Sequence, residues 1–270
     1  MADSIDIGIA GVSGRMGRML LAAVLQAPDC RLVAGSTLPD LPEMESDLGT
    51  LAGQTPIGIK PMADPAALFA ASDLVIDFTA PEASCAHAAL AAASGKGLVI
   101  GTTGMTPAQR DQVAEAAKRA PILIASNTSR GVTLLLDLVA KVARALDEDY
   151  DIEVVEMHHR MKVDAPSGTA LSLGQAAADG RGKPLEELWV KSRDGHTGAR
   201  EPGSIGFATL RGGDVVGEHS VIFAGPGERI EITHKAQSRE LFAQGALGAA
   251  RWLAGKPAGL YDMRDVLGLK

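Results

Sequence analysis

The sequence predicts an α/β protein in two parts: a parallel sheet covered by helices on both faces, then a mixed or antiparallel sheet. Three observations carry this reading. Through the first half, apolar strand-like runs alternate with helical segments of roughly 10–15 residues, the pattern of a parallel sheet. A glycine-rich loop separates the first of these strands from the helix after it. In the second half, strand candidates follow one another with few helices between them.

Each element has a local reason. Ile5 to Ala10 is an apolar run that stops at Gly11. Arg15 to Leu25 places Met16, Met19, Leu20 and Val24 at helical spacing. Arg31 to Ala34 is a second strand and Leu74 to Phe78 a third, the latter followed by Pro81 and an Ala-rich helix. Leu98 to Ile100 is the fourth strand. Thr106-Pro107 then opens a helix with proline in its first turn, where the missing N–H is not needed. Ile122 to Ala125 is the fifth strand, and Val132 to Leu146 a long amphipathic helix. Beyond it, Asp151 to His158, Gly206 to Leu210, Val215 to Ala224 and Arg229 to Lys235 read as strands, with helices after Gly168 and Ser238. The boundary is expected near Asn127. The helix Glu240 to Leu253 and the tail to Lys270 are expected to rejoin the first part. This gives domains of 1–127 with 240–270, and 128–239.

Composition narrows the function. The 270 residues suit one or two domains, and 46% hydrophobic with 22% charged residues is an ordinary globular balance. A net charge of −7 and 3% aromatics argue against nucleic acid as a partner, which needs a basic face and stacking surfaces. No apolar run approaches the ~20 residues of a membrane span. MADSIDIGIAG lacks the basic flank and apolar core of a secretory signal. Cys30 and Cys85 make neither a disulfide framework nor a metal spacing, so a cytoplasmic location is expected.

Two motifs carry chemistry. In Gly11-Val12-Ser13-Gly14-Arg15-Met16-Gly17, glycines allow a tight turn, and the helix start offers free N–H groups and partial positive charge to a pyrophosphate. A tight βα turn with no ligand would use the same glycines. After the second strand the chain reads Gly35-Ser36-Thr37-Leu38, with no acid for the ribose hydroxyls of NADH and no Arg for the 2′-phosphate of NADPH. Arg15 and Arg18 are the nearest basic candidates, so either cofactor remains open.

The second motif runs from Glu156 to Ala170. Within it, His158, His159, Arg160 and Lys162 follow a strand and precede a helix start marked by Pro166, Ser167 and Thr169. A basic loop meeting a helix N-terminus in an acidic chain suits a small ligand with more than one negative group, such as a dicarboxylate. Histidine can also move protons near neutral pH. A merely solvated charge run with a plain helix cap is the alternative. A metal site is not expected, because adjacent residues on a strand point to opposite faces and no third ligand is near.

With these residues in view, the sequence resembles the 4-hydroxy-tetrahydrodipicolinate (dihydrodipicolinate) reductases of lysine and diaminopimelate biosynthesis. The resemblance lies in GVSGRMG (Gly11–Gly17), VIDFTAPE (Val75–Glu82), VIGTTG (Val99–Gly104) and EMHHRMKVDAPSGTAL (Glu156–Leu171). It continues in RDGHTGAR (Arg193–Arg200), GSIGFATLRGGDVVGEH (Gly203–His219), ITHKAQSR (Ile232–Arg239) and GLYDMRDVL (Gly259–Leu267). It implies a Rossmann-type nucleotide-binding domain, completed by the C-terminal segment, plus a mixed α+β domain for substrate binding and oligomerisation into a homotetramer. The implied reaction is an NADPH- or NADH-dependent reduction of a cyclic dicarboxylate with loss of water. By matching positions, His158 is the acid/base and Lys162 the proton donor, while His159, Gly168 and Thr169 bind the substrate carboxylates. Gly11, Val12, Ser13, Gly14, Arg15, Met16, Gly101, Thr102, Thr103, Ala125, Ser126, Asn127 and Thr128 line the cofactor.

Two positions depart from the family pattern: Thr37-Leu38, where many members have an acid then Arg, and Ala80, where many have Arg. Both bear on cofactor preference. Two rival readings share the first motif: another dehydrogenase of small amino-acid-derived carboxylates, and a nucleotide-sensing protein without turnover. Neither needs the His-His-x-x-Lys string.

Overall fold

Ile7, Gly8, Ile9 and Ala10 are all buried, as in a strand covered on both faces. This strand, β1 (Ile5–Ala10), leads through the glycine loop into α1 (Arg15–Leu25), β2 (Cys30–Ser36), α2 (Leu48–Leu51) and α3 (Pro65–Ala71). Then come β3 (Leu74–Asp77), α4 (Pro81–Ser94), β4 (Gly97–Ile100), α5 (Pro107–Ala117) and β5 (Pro121–Ile124). The second part holds α6 (Arg130–Ala145), β6 (Asp151–His158), α7 (Gly168–Arg181), α8 (Leu185–Leu188), β7 (Trp189–Val190), β8 (Ile205–Arg211), β9 (Gly217–Gly225) and β10 (Glu228–Ala236). The chain ends in α9 (Glu240–Leu253), β11 (Gly259–Tyr261) and α10 (Met263–Val266). The computed structural model describes residues 4–270. They fall into one unit reaching to Ser129 and resuming at Glu240–Lys270, and a second of Arg130–Arg239.

In the first unit the six strands are all parallel, in the order β11-β5-β4-β3-β1-β2. One face packs on α1 and α9 through Leu20, Leu21, Val24, Leu247 and Leu253. The other packs on α3, α4 and α5 through Phe69, Ala88 and Val113. Strand order reverses at β1, between β2 and β3, and ligands of such sheets bind beyond the strand carboxyl ends at that point.

The second unit is a mixed sheet ordered β10-β9-β6-β8-β7. Its β9 runs antiparallel to both β10 and β6, while β8 is parallel to β6 and β7. Leu135 and Val139 of α6, with Leu173 and Ala177 of α7, pack with Val154, Phe207, Val221 and Phe223 of the sheet. The fold class expected from the sequence is therefore the one observed. Some details differ. The second strand runs from Cys30 to Ser36, and the ninth begins at Gly217 rather than Val215. The sixth strand of the parallel sheet, β11, is only three residues long and is absent from the sequence reading, as are α2, α3 and α8.

Candidate active site

The first unit gathers its chemistry at the strand carboxyl ends. Gly11 has φ +75°, and a Cβ there would lie 2.7 Å from Thr79 Cγ2, so only glycine lets the chain turn beside β3. Gly11 and Val12 donate their N–H groups to Ser36 O at 2.8 and 3.0 Å, which ties the loop to β2. Gly14 is the N-cap of α1 and places no side chain over the helix start, and no acid occupies the first turn. That leaves an uncovered helix N-terminus suited to a pyrophosphate.

Beside it lies a cavity of about 350 Å³ lined by Met16, Gly101, Thr102, Thr103, Ser126, Asn127 and Thr128, with Phe78, Thr79 and Phe242. The structure thus brings three sequence-separated segments of the expected cofactor site together. Val12 is fully buried in the core and has only its backbone to offer, and Ala125 packs against that core. A buried network underlies the cavity. Asp77, at the end of β3, accepts from Thr79 N–H (2.8 Å) and Thr79 Oγ1 (2.6 Å) and pairs with His87 Nδ1 at 2.8 Å. Burial acts to raise the Asp77 carboxyl, but the bonds from His87 and Thr79 outweigh it and hold the carboxyl below its usual range. Ser84 Oγ, also buried, donates to Thr102 Oγ1 at 2.8 Å.

At the adenosine end, Thr37 is buried and donates to Ser13 Oγ at 2.9 Å, while Leu38 is exposed. Arg18 is bound to Glu43 at 2.9 Å and to Ser13 O at 3.2 Å. Arg15 is exposed at the helix start. Ala80 is the exposed N-cap residue of α4.

In the second unit, β6 alternates strictly, with Ile152, Val154, Glu156 and His158 on its buried face. Apolar residues fill the first half of that face and ionisable ones the last two positions. The register sets His219 of β9 opposite Glu156 and Arg211 of β8 beside His158. Glu156 is 1% exposed and makes four polar contacts. Its Oε2 accepts from His158 Nδ1 (2.6 Å) and Arg211 Nη1 (2.8 Å). Its Oε1 accepts from Arg211 Nη2 (2.9 Å) and Ser167 N–H (3.1 Å). Burial alone would raise this carboxyl; the bonds from Arg211, His158 and Ser167 prevail and hold it below the usual carboxylate range. His158 Nε2 lies 3.0 Å from where a Gly217 Cβ would stand, so glycine at that position makes room for the imidazole.

His159 comes just after the strand end and is half-buried, with Arg239 Nη2 3.3 Å from its Nε2. Lys162 pairs with Asp164 at 2.8 Å, while the side chain of Asp164 stays more than half exposed. Ser167 caps α7 by accepting from Ala170 N–H at 3.1 Å. Gly168 is exposed as the first residue of α7, and Thr169 is half-buried beside it. The expected residues His158, His159, Lys162, Gly168 and Thr169 thus occupy one end of this unit, around a strand end and a helix start. Sequence reasoning missed Arg211, His219 and Arg239. The first two alternate with apolar residues on strands, and only the register shows that they meet Glu156.

His219 carries a consequence for stability. Burial, together with the nearby His158, lowers its pKa to about 4, and its Nδ1 has no partner among the described residues. A depressed histidine pKa means that the unfolded chain binds the proton first. Its stabilising contribution is complete above about pH 6.5 and is lost as pH falls toward 4. The linkage is worth about 2.5 kcal/mol between about pH 7 and pH 4.5. Urea unfolding across that range should show His219→Asn to be less acid-sensitive than the parent by this amount. Equal acid sensitivity would refute the assignment.

Residues 5–128 match the family model described as dihydrodipicolinate reductase, N-terminus, and residues 131–267 match dihydrodipicolinate reductase, C-terminus. The chain is 51% identical to the 4-hydroxy-tetrahydrodipicolinate reductase of Magnetococcus marinus, over 99% of this chain and all of that one. It is 55% identical to that of Cereibacter sphaeroides (strain ATCC 17029 / ATH 2.4.9), over the full length of both. The dipicolinate-bound dihydrodipicolinate reductase from Paenisporosarcina sp. TG-14 shares the fold, with a TM-score of 0.76 at 24% identity over 96% of this chain and 97% of that one.

Proposed function

The chain belongs to the dihydrodipicolinate reductase family, and on that premise we propose how its residues carry out the family's reaction. That reaction is the nicotinamide-dependent reduction of 4-hydroxy-tetrahydrodipicolinate to tetrahydrodipicolinate, with loss of water, in lysine biosynthesis. The observation that carries the proposal is His158: buried, anchored through one ring nitrogen, and placed beside a cationic loop and a helix start.

In this reading Gly11 to Met16, Gly101 to Thr103 and Ala125 to Thr128 hold a nicotinamide dinucleotide. The positive-φ turn at Gly11, the uncovered start of α1 and the adjoining cavity fit such a group. When bound, the reduced nicotinamide supplies the hydride. The two substrate carboxylates are held by His159, by Thr169 and by the amide of Gly168 at the start of α7, with Arg239 adding positive charge. Positive charge around the ring favours the electron-rich state formed on reduction. His158 and Lys162 then provide the proton that completes it. Lys162 leaves Asp164 when the dicarboxylate arrives as a stronger anionic partner. The homotetramer and a cytoplasmic location belong to the same proposal; light scattering on the purified protein tests the former. Among the described residues no helix is long and apolar enough to cross a membrane.

Both NADH and NADPH serve as cofactor. No acid stands at Thr37-Leu38 to repel a 2′-phosphate, and Arg18 is engaged by Glu43, which leaves Arg15 alone to favour one. Steady-state assays with each cofactor and freshly generated substrate should give kcat/KM values within about 100-fold, or about 2.8 kcal/mol. A larger preference contradicts the cofactor reading. Absence of substrate-dependent cofactor oxidation with either contradicts the whole.

A further inference from the structure

We propose that Glu156 is a positioning residue for the reduction: it holds His158 with its proton on Nδ1, so that Nε2 is the nitrogen that exchanges protons at the substrate. The inference rests on the assignment of His158 as the acid/base and goes beyond it by stating which atom acts and what makes it act.

The geometry carries it. A carboxylate only accepts, so the 2.6 Å contact of Glu156 Oε2 with His158 Nδ1 requires the proton on Nδ1. Arg211 grips both oxygens and the Ser167 amide adds a fourth bond, so the carboxylate cannot rotate away. Arg211 in turn donates to the carbonyls of Leu210 and Asp164 at 2.7 and 2.6 Å, tying it to β8 and to the loop that bears Lys162. On the far side of the ring, Nε2 stands over Gly217, where a Cβ would intrude. Charged and titratable groups face His158 from each neighbouring strand: Glu156 on β6, Arg211 on β8 and His219 on β9, with Lys162 in the loop that follows. The His219 ring lies edge-on, 5.1 Å away centre to centre. Because burial keeps His219 neutral at working pH, an imidazolium at His158 meets no second positive imidazole there.

Replacing the carboxylate by its amide makes the idea testable. In Glu156→Gln one oxygen becomes an NH2 group, which must face a donor at either position. Of the donors present, only His158 can give up its proton. The amide oxygen therefore turns to Ser167 N–H, and the NH2 turns to a bare Nδ1. That reverses the tautomer and disfavours the imidazolium.

Two measurements test this. In the unmodified protein, 15N spectra of the histidine rings, with His158 assigned by its loss in His158→Asn, should show that the neutral ring carries its proton on Nδ1, with Nε2 bare, the minority form in water. In Glu156→Gln, kcat should fall by roughly 10²-fold or more, with KM for the dicarboxylate within about threefold, the alkaline limb of the kcat profile moved to lower pH, and the His158 tautomer reversed. A neutral His158 ring that carries its proton on Nε2 in the unmodified protein overturns the proposal. So does a folded Glu156→Gln enzyme with unchanged turnover and pH profile. The spectrum does not depend on the variant folding. It also separates this proposal from the assignment beneath it, since unimpaired turnover in His158→Asn would discard the role of His158 whatever its tautomer.

Discussion

His158→Ala and Lys162→Ala should each lower kcat by roughly 10²-fold, a loss of about 2.7 kcal/mol of transition-state stabilisation. Neither change should disturb the fold. Without the imidazole, Glu156 keeps its two bonds from Arg211 and one from Ser167, so no uncompensated charge is left in the sheet. Without the ammonium, Asp164 is left in water, where it is already more than half exposed. The two variants should differ in KM. His158 is committed at Nδ1 to Glu156 and is mostly buried, so its removal should leave dicarboxylate binding nearly unchanged. Lys162 sits in the cationic loop, so its removal should also weaken binding. Steady-state kinetics at saturating cofactor, with circular dichroism to establish folding, decides the matter. Turnover within threefold of the parent in either folded variant would remove that residue from the chemistry.

Gly17→Ala should be the most damaging single-methyl change in the nucleotide-binding unit. A Cβ at this position would stand 2.2 Å from Gly11 O and 2.8 Å from Val12 Cα, and both neighbours are backbone. Helix α1 would have to move off the end of β1. Gly11 and Val12 are held by Ser36, so the loop cannot follow without breaking those bonds. Overpacking of this kind costs about 3 kcal/mol, equivalent to a Tm lower by roughly 6–12 °C for a domain of this size. Because the same displacement opens the turn proposed to hold the pyrophosphate, cofactor affinity should drop by about tenfold or more. Gly14→Ala is the control. Its φ of −70° suits any residue, and its Cβ would meet Gly11 O only at 3.4 Å, so it should cost about 1 kcal/mol or less. Thermal melts and titration of the reduced nicotinamide measure both quantities. A Gly17→Ala protein with unaltered Tm and affinity would show that close packing of α1 on β1 is not what this glycine provides.

The residues that were easy to read are those whose role is set by near neighbours. Gly11 to Gly17 announces itself because strand, turn and helix follow within a few residues. Thr106-Pro107 announces a helix because its cap is local: Thr106 Oγ1 accepts from Gln109 N–H, and Gln109 reaches back to Thr106 N–H. The stretch from Leu38 to Asp73 was not readable in the same way. Its helix α2 is only Leu48–Leu51, and the Asp47 carboxylate that caps it also gathers the N–H groups of Ile57, Gly58 and Ile59. Such a knot has no periodicity to detect. Strand β11 is too short to signal itself and exists because Gly259 to Tyr261 pairs with Pro121 to Leu123.

The same division runs through the candidate site. The string from His158 to Thr169 showed that cationic groups would meet a helix start, since both lie on one short stretch of chain. It could not show that Glu156 shares a face with His158 in a buried, fully bonded cluster, because Arg211 and His219 come from strands more than 50 residues away in sequence. Amino-acid order alone determined the fold class, the turn that can cradle a phosphate and the residues able to hold charge, because each depends on spacing along one segment. Strand register determined which of those charges neutralise one another, which nitrogen of His158 meets a carboxylate, and that His219 stays neutral. Such matters depend on how deeply groups are removed from water and what they touch there, and only the packed sheet decides that.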